Sequence, residues 1–483
     1  MSQSVPISQS INAFKVYLEG PVLRLFGFGI AAGLPIMLVF SSLSFWLREA
    51  GVERSTIGFF SWVTLAYAMK WLWAPLVDRL SIPVLTKKVG RRKSWLLLSQ
   101  ICLVAAISAM AFTDPAQSLY FMAVAAVLVA FCSATQDIMI DAFRIESGSE
   151  RQQAAMAASY MIGYRLAMII ATAGVLLLTA FAEPESSTTT TQYHYAAWQF
   201  SYLCMAFLMA CMCMLTMLSP EPHGEPNQNP NNVPQTLTTQ SNKTQIGSAI
   251  NQPRSSNQYS IQRIVALFSD IFYALKKSFI DPVLDLISRY RSVAIWLIII
   301  VATYRISDVV MGVMANVFYV DMGYSKEEIA SVSKVFGVVM TLLGAFFSGG
   351  LINRYGILPI LLVGGVLSAI TNLLFVLLST TGHSINLLIA VISIDNLSAG
   401  IAMAALIAFL SSLTNKEFTA TQYAWLSSTM ILLPKSIGGF SGVMLESMGY
   451  TQFFTMTAVI GIPAIVSLLV LMKKGWSARV SSD

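Results

Sequence analysis

The chain has 483 residues, 55% of them apolar and only 11% charged, with a net charge of +6 and a mean hydropathy of +0.66. No water-soluble globular protein of this length normally carries that balance, so an all-α polytopic membrane protein is expected. Apolar segments of about 20 residues, long enough to cross hydrocarbon as helix, recur along the chain, and the short alternating segments of a β-barrel do not occur.

The hydropathy pattern predicts twelve spans, at 22–47, 56–77, 95–113, 118–140, 154–180, 196–218, 293–320, 329–352, 357–379, 385–413, 421–446 and 450–472. The amino terminus, MSQSVPISQSINAFK, lacks the basic region and cleavage site of a secretory signal, so the first span is expected to remain. That span carries FGFGIAAGLP, where Gly29 and Gly33 read as close helix packing or, alternatively, substrate contact. The second holds Lys70 beside Tyr67 and Trp71. After it comes APLVDRLSIPVLTKKVGRRKSW, with Asp78-Arg79 and a basic cluster that includes Arg91 and Arg92.

The fourth span ends in SATQDIMIDAFR, which stacks Asp137 and Asp141 one turn apart on one helical face, with Arg144 further round the same side and Gln136 beside them. Arg165 lies in the fifth span. All five cysteines fall in spans, where Cys packs as a small apolar residue; Cys211 and Cys213 face different sides of the sixth, and no metal site or cofactor is expected. Residues 219–292 then read as a cytoplasmic linker, Pro-, Asn- and Gln-rich at first and ending in an interfacial helix. It separates an N-terminal six-helix bundle (1–218) from a C-terminal one (293–483). The second bundle carries Arg305 and Asp308 in span seven, Lys334 in eight, Asp395 and Asn396 in ten, and Lys435 in eleven.

Lys and Arg near span ends are retained on the cytoplasmic side. With both termini cytoplasmic, 22 of the 30 Lys+Arg fall in inside segments, and only Arg48, Arg54 and Lys326 fall outside. The positive net charge is thus topogenic, and no nucleic-acid partner is read into it.

Six spans, a long loop and six spans resemble the layout of major facilitator transporters. GGLINRYGIL after span eight echoes the loop after span two, so Asp78-Arg79 reads as a gate element in addition to topogenic charge, with Arg91, Arg92, Asp141 and Arg144 grouped in the same gate. By that resemblance spans one, four, seven and ten line a central cavity. Ionisable residues within spans are costly and mark function by default. Asp137 reads as a proton site, or else as a structural partner of Lys70 or Arg165; Asp308 and Asp395 are the further proton candidates, and Arg305–Asp308 could be a self-neutralising pair. Five deep bases stand against three deep acids, an excess that suits an anionic substrate. Lys70, Tyr67, Trp71, Gln136, Arg165, Arg305, Lys334, Asn396 and Lys435 are the candidate substrate contacts.

GFGIAAGLP, TIGFFSWVTLAYAMKWLWAPLVDR, GRRKSWLLLSQ, AFCSATQDIMIDAFR, GYRLAM, YRISD, SVSKVFGVVMTLLGAFFSGG and SLTNKEFTATQYAWLSS together resemble, in order and spacing, the AmpG-type muropeptide permeases. The resemblance implies a proton-coupled importer in the bacterial inner membrane. Its cargo would be N-acetylglucosaminyl-1,6-anhydro-N-acetylmuramyl peptides for peptidoglycan recycling, with an influence on β-lactamase induction. It implies protons as the coupling ion, an anionic sugar-peptide and the bilayer as partners, and a monomer. Rival readings are an importer of another anion, such as an acyl-coenzyme A, and a non-transporting membrane sensor. An enzyme is not expected, because no catalytic triad, metal cluster or phosphate loop is legible and His194, His223 and His383 all fall in loops.

Overall fold

The computed structural model describes residues 18–74, 77, 80–147, 150–183, 193–221, 284–291, 293–414 and 419–476. Every regular element among them is helical. Ten helices are long and apolar enough to cross a membrane: α1 (Gly20–Glu49), α3 (Arg91–Ala111), α4 (Leu119–Arg144, continuing to Ser147), α5 (Ala155–Ala182), α6 (Tyr195–Leu218), α7 (Val293–Asp321), α8 (Lys326–Tyr355), α9 (Ile357–Thr381), α10 (Ile385–Leu413) and a stretch Ser441–Lys473. The last is two helices, because Gly449 at φ 73° turns the chain where a residue with a side chain would be strained. Residues 419–448 then form α11 and 450–473 form α12, while 54–72, a series of short α and 3₁₀ turns, form α2. The result is consistent with twelve crossings. Of the expected linker at 219–292, residues 222–283 and 292 lie outside the described residues.

Local chemistry explains several of these elements. Pro35 removes a backbone donor inside α1, and a π-helical stretch, Leu38–Ser42, follows it directly. Two more π-helical stretches interrupt α5 (Ile170–Gly174) and α8 (Ile329–Phe336). The start of α8 is a capping box: Ser325 Oγ accepts from the Glu328 backbone N–H at 3.2 Å, and the Glu328 carboxylate accepts from the Ser325 N–H at 2.9 Å.

Large apolar side chains face outward from many helices, Phe181 at 84% and Phe346 at 78% exposure among them, as a lipid-facing surface requires. The interior packs α1 on α5, α3 on α4 and α6, α8 and α9 on α10, and α7 on α11 and α12. Gly29 and Gly33 make the first of these packings possible, for a Cβ at Gly29 would lie 2.1 Å from the Tyr160 carbonyl oxygen and one at Gly33 2.5 Å from that of Tyr164. Of their two readings, the structure supports close packing. Gly29→Val is therefore expected to cost more than the ~1–3 kcal/mol of ordinary overpacking, because the obstacle is backbone. A lowered melting temperature in detergent checks this, with Gly349→Ala, where a Cβ meets nothing within 4 Å, as the neutral control.

Candidate functional site

A cavity of about 410 Å³ opens between the N-terminal helices α1 and α5 and the C-terminal helices α7, α8, α9 and α10. Its charged lining is Arg305, Asp308, Lys334 and Asp395, with Asn396 beside them. Two hydroxyls one turn apart on α9 serve the acids: Ser368 donates to Asp308, and Thr371 donates to Asp395 at 3.0 Å. The cations have only neutral partners. Lys334 Nζ donates to Asn316 Oδ1 at 2.6 Å, and Arg305 Nη1 points at the Met403 sulfur at 3.3 Å. Lys435 donates to the Thr64 carbonyl at 3.2 Å and lies 5.9 Å from the centre of the Tyr67 ring. Arg165 reaches only the Met168 sulfur, at 3.9 Å. Among the described residues neither these four nor Lys70 makes an ion pair, so Arg305 and Asp308 are not in direct contact.

A second polar group lies between α2 and α4. Asp137 Oδ1, Tyr67 OH and Ser133 Oγ are buried there without a well-formed hydrogen bond. Lys70 and Asp141 are the charges that act on Asp137. Unpaired buried polar atoms cost roughly 1–3 kcal/mol each unless water or ligand serves them, so their grouping marks a wet or ligand-bearing spot. Gln136 is half committed: its Nε2 donates to the Ala31 carbonyl at 2.7 Å, tying α4 to α1, while its Oε1 is buried with no hydrogen-bond partner. Asn396 donates to Ile392 in its own helix and accepts from Thr341.

The expected gate residues divide. Asp78, Arg79 and the side chain of Trp71 lie outside the described residues. Arg91 is exposed at the start of α3. Arg92 pairs with Glu146 at 2.5 Å, and its backbone N–H and that of Lys93 donate to Glu221 at 2.8 and 3.1 Å, so Glu221 sits on the positive N-terminal end of α3. Asp141 is half exposed and 3.9 Å from Arg144. All of these described contacts are among N-terminal helices.

The described ion pairs that join the two sets of six helices gather at the opposite end, and sequence reasoning missed them. Asp321, at the end of α7, accepts from Arg48 at 2.5 Å, from Arg54 at 2.7 Å and from Tyr450 at 2.5 Å. Lys326 bridges Glu49, at 3.0 Å, and Glu183, and stands 5.5 Å from the Trp198 ring centre. Trp198 in turn donates to Glu49 at 2.8 Å. A signal did exist: Arg48, Arg54 and Lys326 are the three cations that defy the positive-inside pattern.

A polytopic helical bundle with a charged cavity between two six-helix sets, latched at one end, has the form of an alternating-access transporter. The Major Facilitator Superfamily model matches residues 25–439 and again 296–480. "Putative transporter AmpG 4" of Rickettsia felis is 30% identical over 95% of this chain and 98% of its own length. "Anhydromuropeptide permease" of Escherichia coli is 31% identical over 94% of this chain and 80% of its own. Among solved structures, a POT family transporter in complex with a thioalcohol-conjugated peptide aligns with a TM-score of 0.64 at 14% identity, covering 93% of this chain and 96% of that one. A D-xylose-proton symporter aligns with a TM-score of 0.62 at 9% identity, covering 94% and 96%. At those identities the likeness speaks for the fold alone. The chain belongs to the major facilitator superfamily and, within it, to the AmpG-type permeases. It is a multi-pass membrane transporter and not an enzyme.

Proposed function

We propose that this transporter imports anhydromuropeptides across the bacterial inner membrane, driven by protons, with both termini and the Arg92–Glu146 end cytoplasmic. The observation that carries the reading is the set of five membrane-embedded cations, Lys70, Arg165, Arg305, Lys334 and Lys435, for which no protein carboxylate forms an ion pair among the described residues. Cations held against sulfur, carbonyl and amide keep their charge available for an anion. A peptide stem supplies carboxylates and its sugars supply hydroxyls, and a relative 31% identical over nearly the whole chain is named for that cargo. Asp137 is the proposed proton carrier, with Asp308 and Asp395 as the others. One chain is proposed as the working unit, its two halves divided at the central linker. Delivery of muropeptide to the cytoplasm is the proposed link to β-lactamase induction.

Proteoliposomes loaded with the purified protein test this by uptake of labelled disaccharide-anhydromuramyl tripeptide, with and without an inward proton gradient. Gradient-dependent accumulation is the expected result. Uptake of an acyl-coenzyme A in its place, or saturable binding without uptake, would overturn the cargo assignment. Lys334→Gln keeps a donor for Asn316 and removes the charge, so KM is expected to rise roughly 30-fold or more, from the loss of about 2–5 kcal/mol in a desolvated charge contact.

A further inference from the structure

Asn316 ties a lysine of the cavity wall to the helix across the seam between the two sets. It lies on α7 and is 5% exposed, and both ends of its amide are in use. Its oxygen accepts from Lys334 of α8 at 2.6 Å. Its nitrogen donates across the seam to α1, to the Ser41 carbonyl at 3.0 Å and the Ser44 hydroxyl at 3.0 Å, with Ser41 Oγ at 3.3 Å. Ser41 and Lys334 each stand in a π-helical stretch, Leu38–Ser42 and Ile329–Phe336, and the third such stretch, Ile170–Gly174 of α5, packs against both. Ser42 adds a 2.5 Å hydrogen bond to the Ala171 carbonyl. Local π-helical turns are less regularly bonded than the α-helix and recur at functional sites.

The chemistry of that chain is directional. An ammonium bonded to the amide oxygen polarises the amide and strengthens what its N–H donates, because hydrogen bonds in a chain reinforce one another in low dielectric. A carboxylate is a stronger partner for an ammonium than an amide oxygen, since it adds the attraction of a full opposite charge, which is large at contact distance in low dielectric. An anion entering the cavity therefore draws Lys334 away from Asn316, and the grip of Asn316 on Ser41 and Ser44 weakens with it. Binding and loosening of the seam become linked, and linkage is reciprocal.

We propose that Asn316 is a positioning residue that couples occupancy of Lys334 by an anionic substrate group to release of α1 from α7. In the empty protein it holds Lys334 and α1 at once, and substrate takes Lys334 from it. The inference rests on the anionic-substrate reading above for its trigger, but the state of the empty seam does not depend on the cargo.

Two isolated substitutions separate the roles of the amide. Asn316→Asp, nearly isosteric, gives Lys334 a resident carboxylate that substrate must displace, so KM for the labelled anhydromuramyl tripeptide is expected to rise about tenfold or more, the scale of one charged contact exchanged for another. Asn316→Ala removes the competitor and the tie together, so KM is expected to stay level or fall while kcat drops. Spin labels at Ala50→Cys and Thr451→Cys, on the two sides of the latched end in a background without the native cysteines, report the seam directly. In the empty protein Asn316→Ala should broaden and lengthen the distance distribution, and added tripeptide should no longer shift it. An unchanged distribution in the empty Asn316→Ala protein would sink the proposal whatever the cargo, as would KM rising equally in both variants. If the wild type fails to respond to tripeptide while the empty Asn316→Ala seam opens as described, the cargo assignment fails and the tie through Asn316 stands.

Discussion

Asp137→Asn is expected to abolish proton-driven accumulation of substrate while leaving downhill exchange measurable. The carboxylate oxygen Oδ1 is buried with no hydrogen-bond partner, beside the similarly unserved Tyr67 and Ser133. Asparagine keeps the shape and part of the hydrogen bonding but has no proton to exchange. One pH unit stores about 1.4 kcal/mol per proton, enough for roughly tenfold accumulation, and the mutant should bring that ratio to one. Asp141→Asn is the contrasting variant. That side chain is half exposed and 3.9 Å from Arg144, so its loss should slow transport and leave accumulation responsive to the gradient. Uptake into reconstituted vesicles at several external pH values distinguishes the two. If Asp137→Asn still concentrates substrate, the proton passes instead through Asp308 or Asp395, which share a wall of the cavity and are each held by an α9 hydroxyl.

Asp321→Asn should unlatch the opposite end. The Asp321 side chain is 8% exposed and compensates two arginines at once, Arg48 and Arg54, so its neutralisation leaves both cations at the seam without their counter-charge. Breaking one side of a largely buried pair costs about 3–5 kcal/mol. Part of that is recovered by water at the partly exposed arginines, so a shift nearer 3 kcal/mol, on the order of 100-fold in the balance of closed and open ends, is expected. Labels at Ala50→Cys and Thr451→Cys should show a longer distance becoming dominant, and uptake should fall at least tenfold because the cycle can no longer return readily to the closed state. The Lys326 bridge to Glu49 and Glu183 remains in this variant, and adding Lys326→Met should open the end further. A closed-end distance retained in the double variant would show that apolar packing, not charge, holds the halves together.

The contrast between these residues explains what could be read from one dimension. Asp137 announced itself because an acid inside an apolar run is costly wherever the helix is placed. Arg48, Arg54 and Lys326 were visible as cations on the wrong side of the charge bias, yet nothing local named their partners: Arg48 meets Asp321 273 residues away. Gln136 and Asn316 are both side-chain amides within apolar spans, and only packing separates them. One ties α4 to the Ala31 carbonyl through its nitrogen alone, while the other uses both ends of its amide between a cavity lysine and α1.

By itself the sequence determined the class of protein, the succession of membrane helices and the inventory of embedded charge, because each follows from the transfer of local segments into hydrocarbon. The break of the last apolar stretch at Gly449, the latch through Asp321, the neutral partners of Arg165, Arg305, Lys334 and Lys435, and the chain from Lys334 through Asn316 to Ser41 were decided only by tertiary structure. Hydropathy places a helix in the bilayer without choosing its rotation or its neighbours. Those are set by side-chain packing and by which polar groups must satisfy one another across the seam.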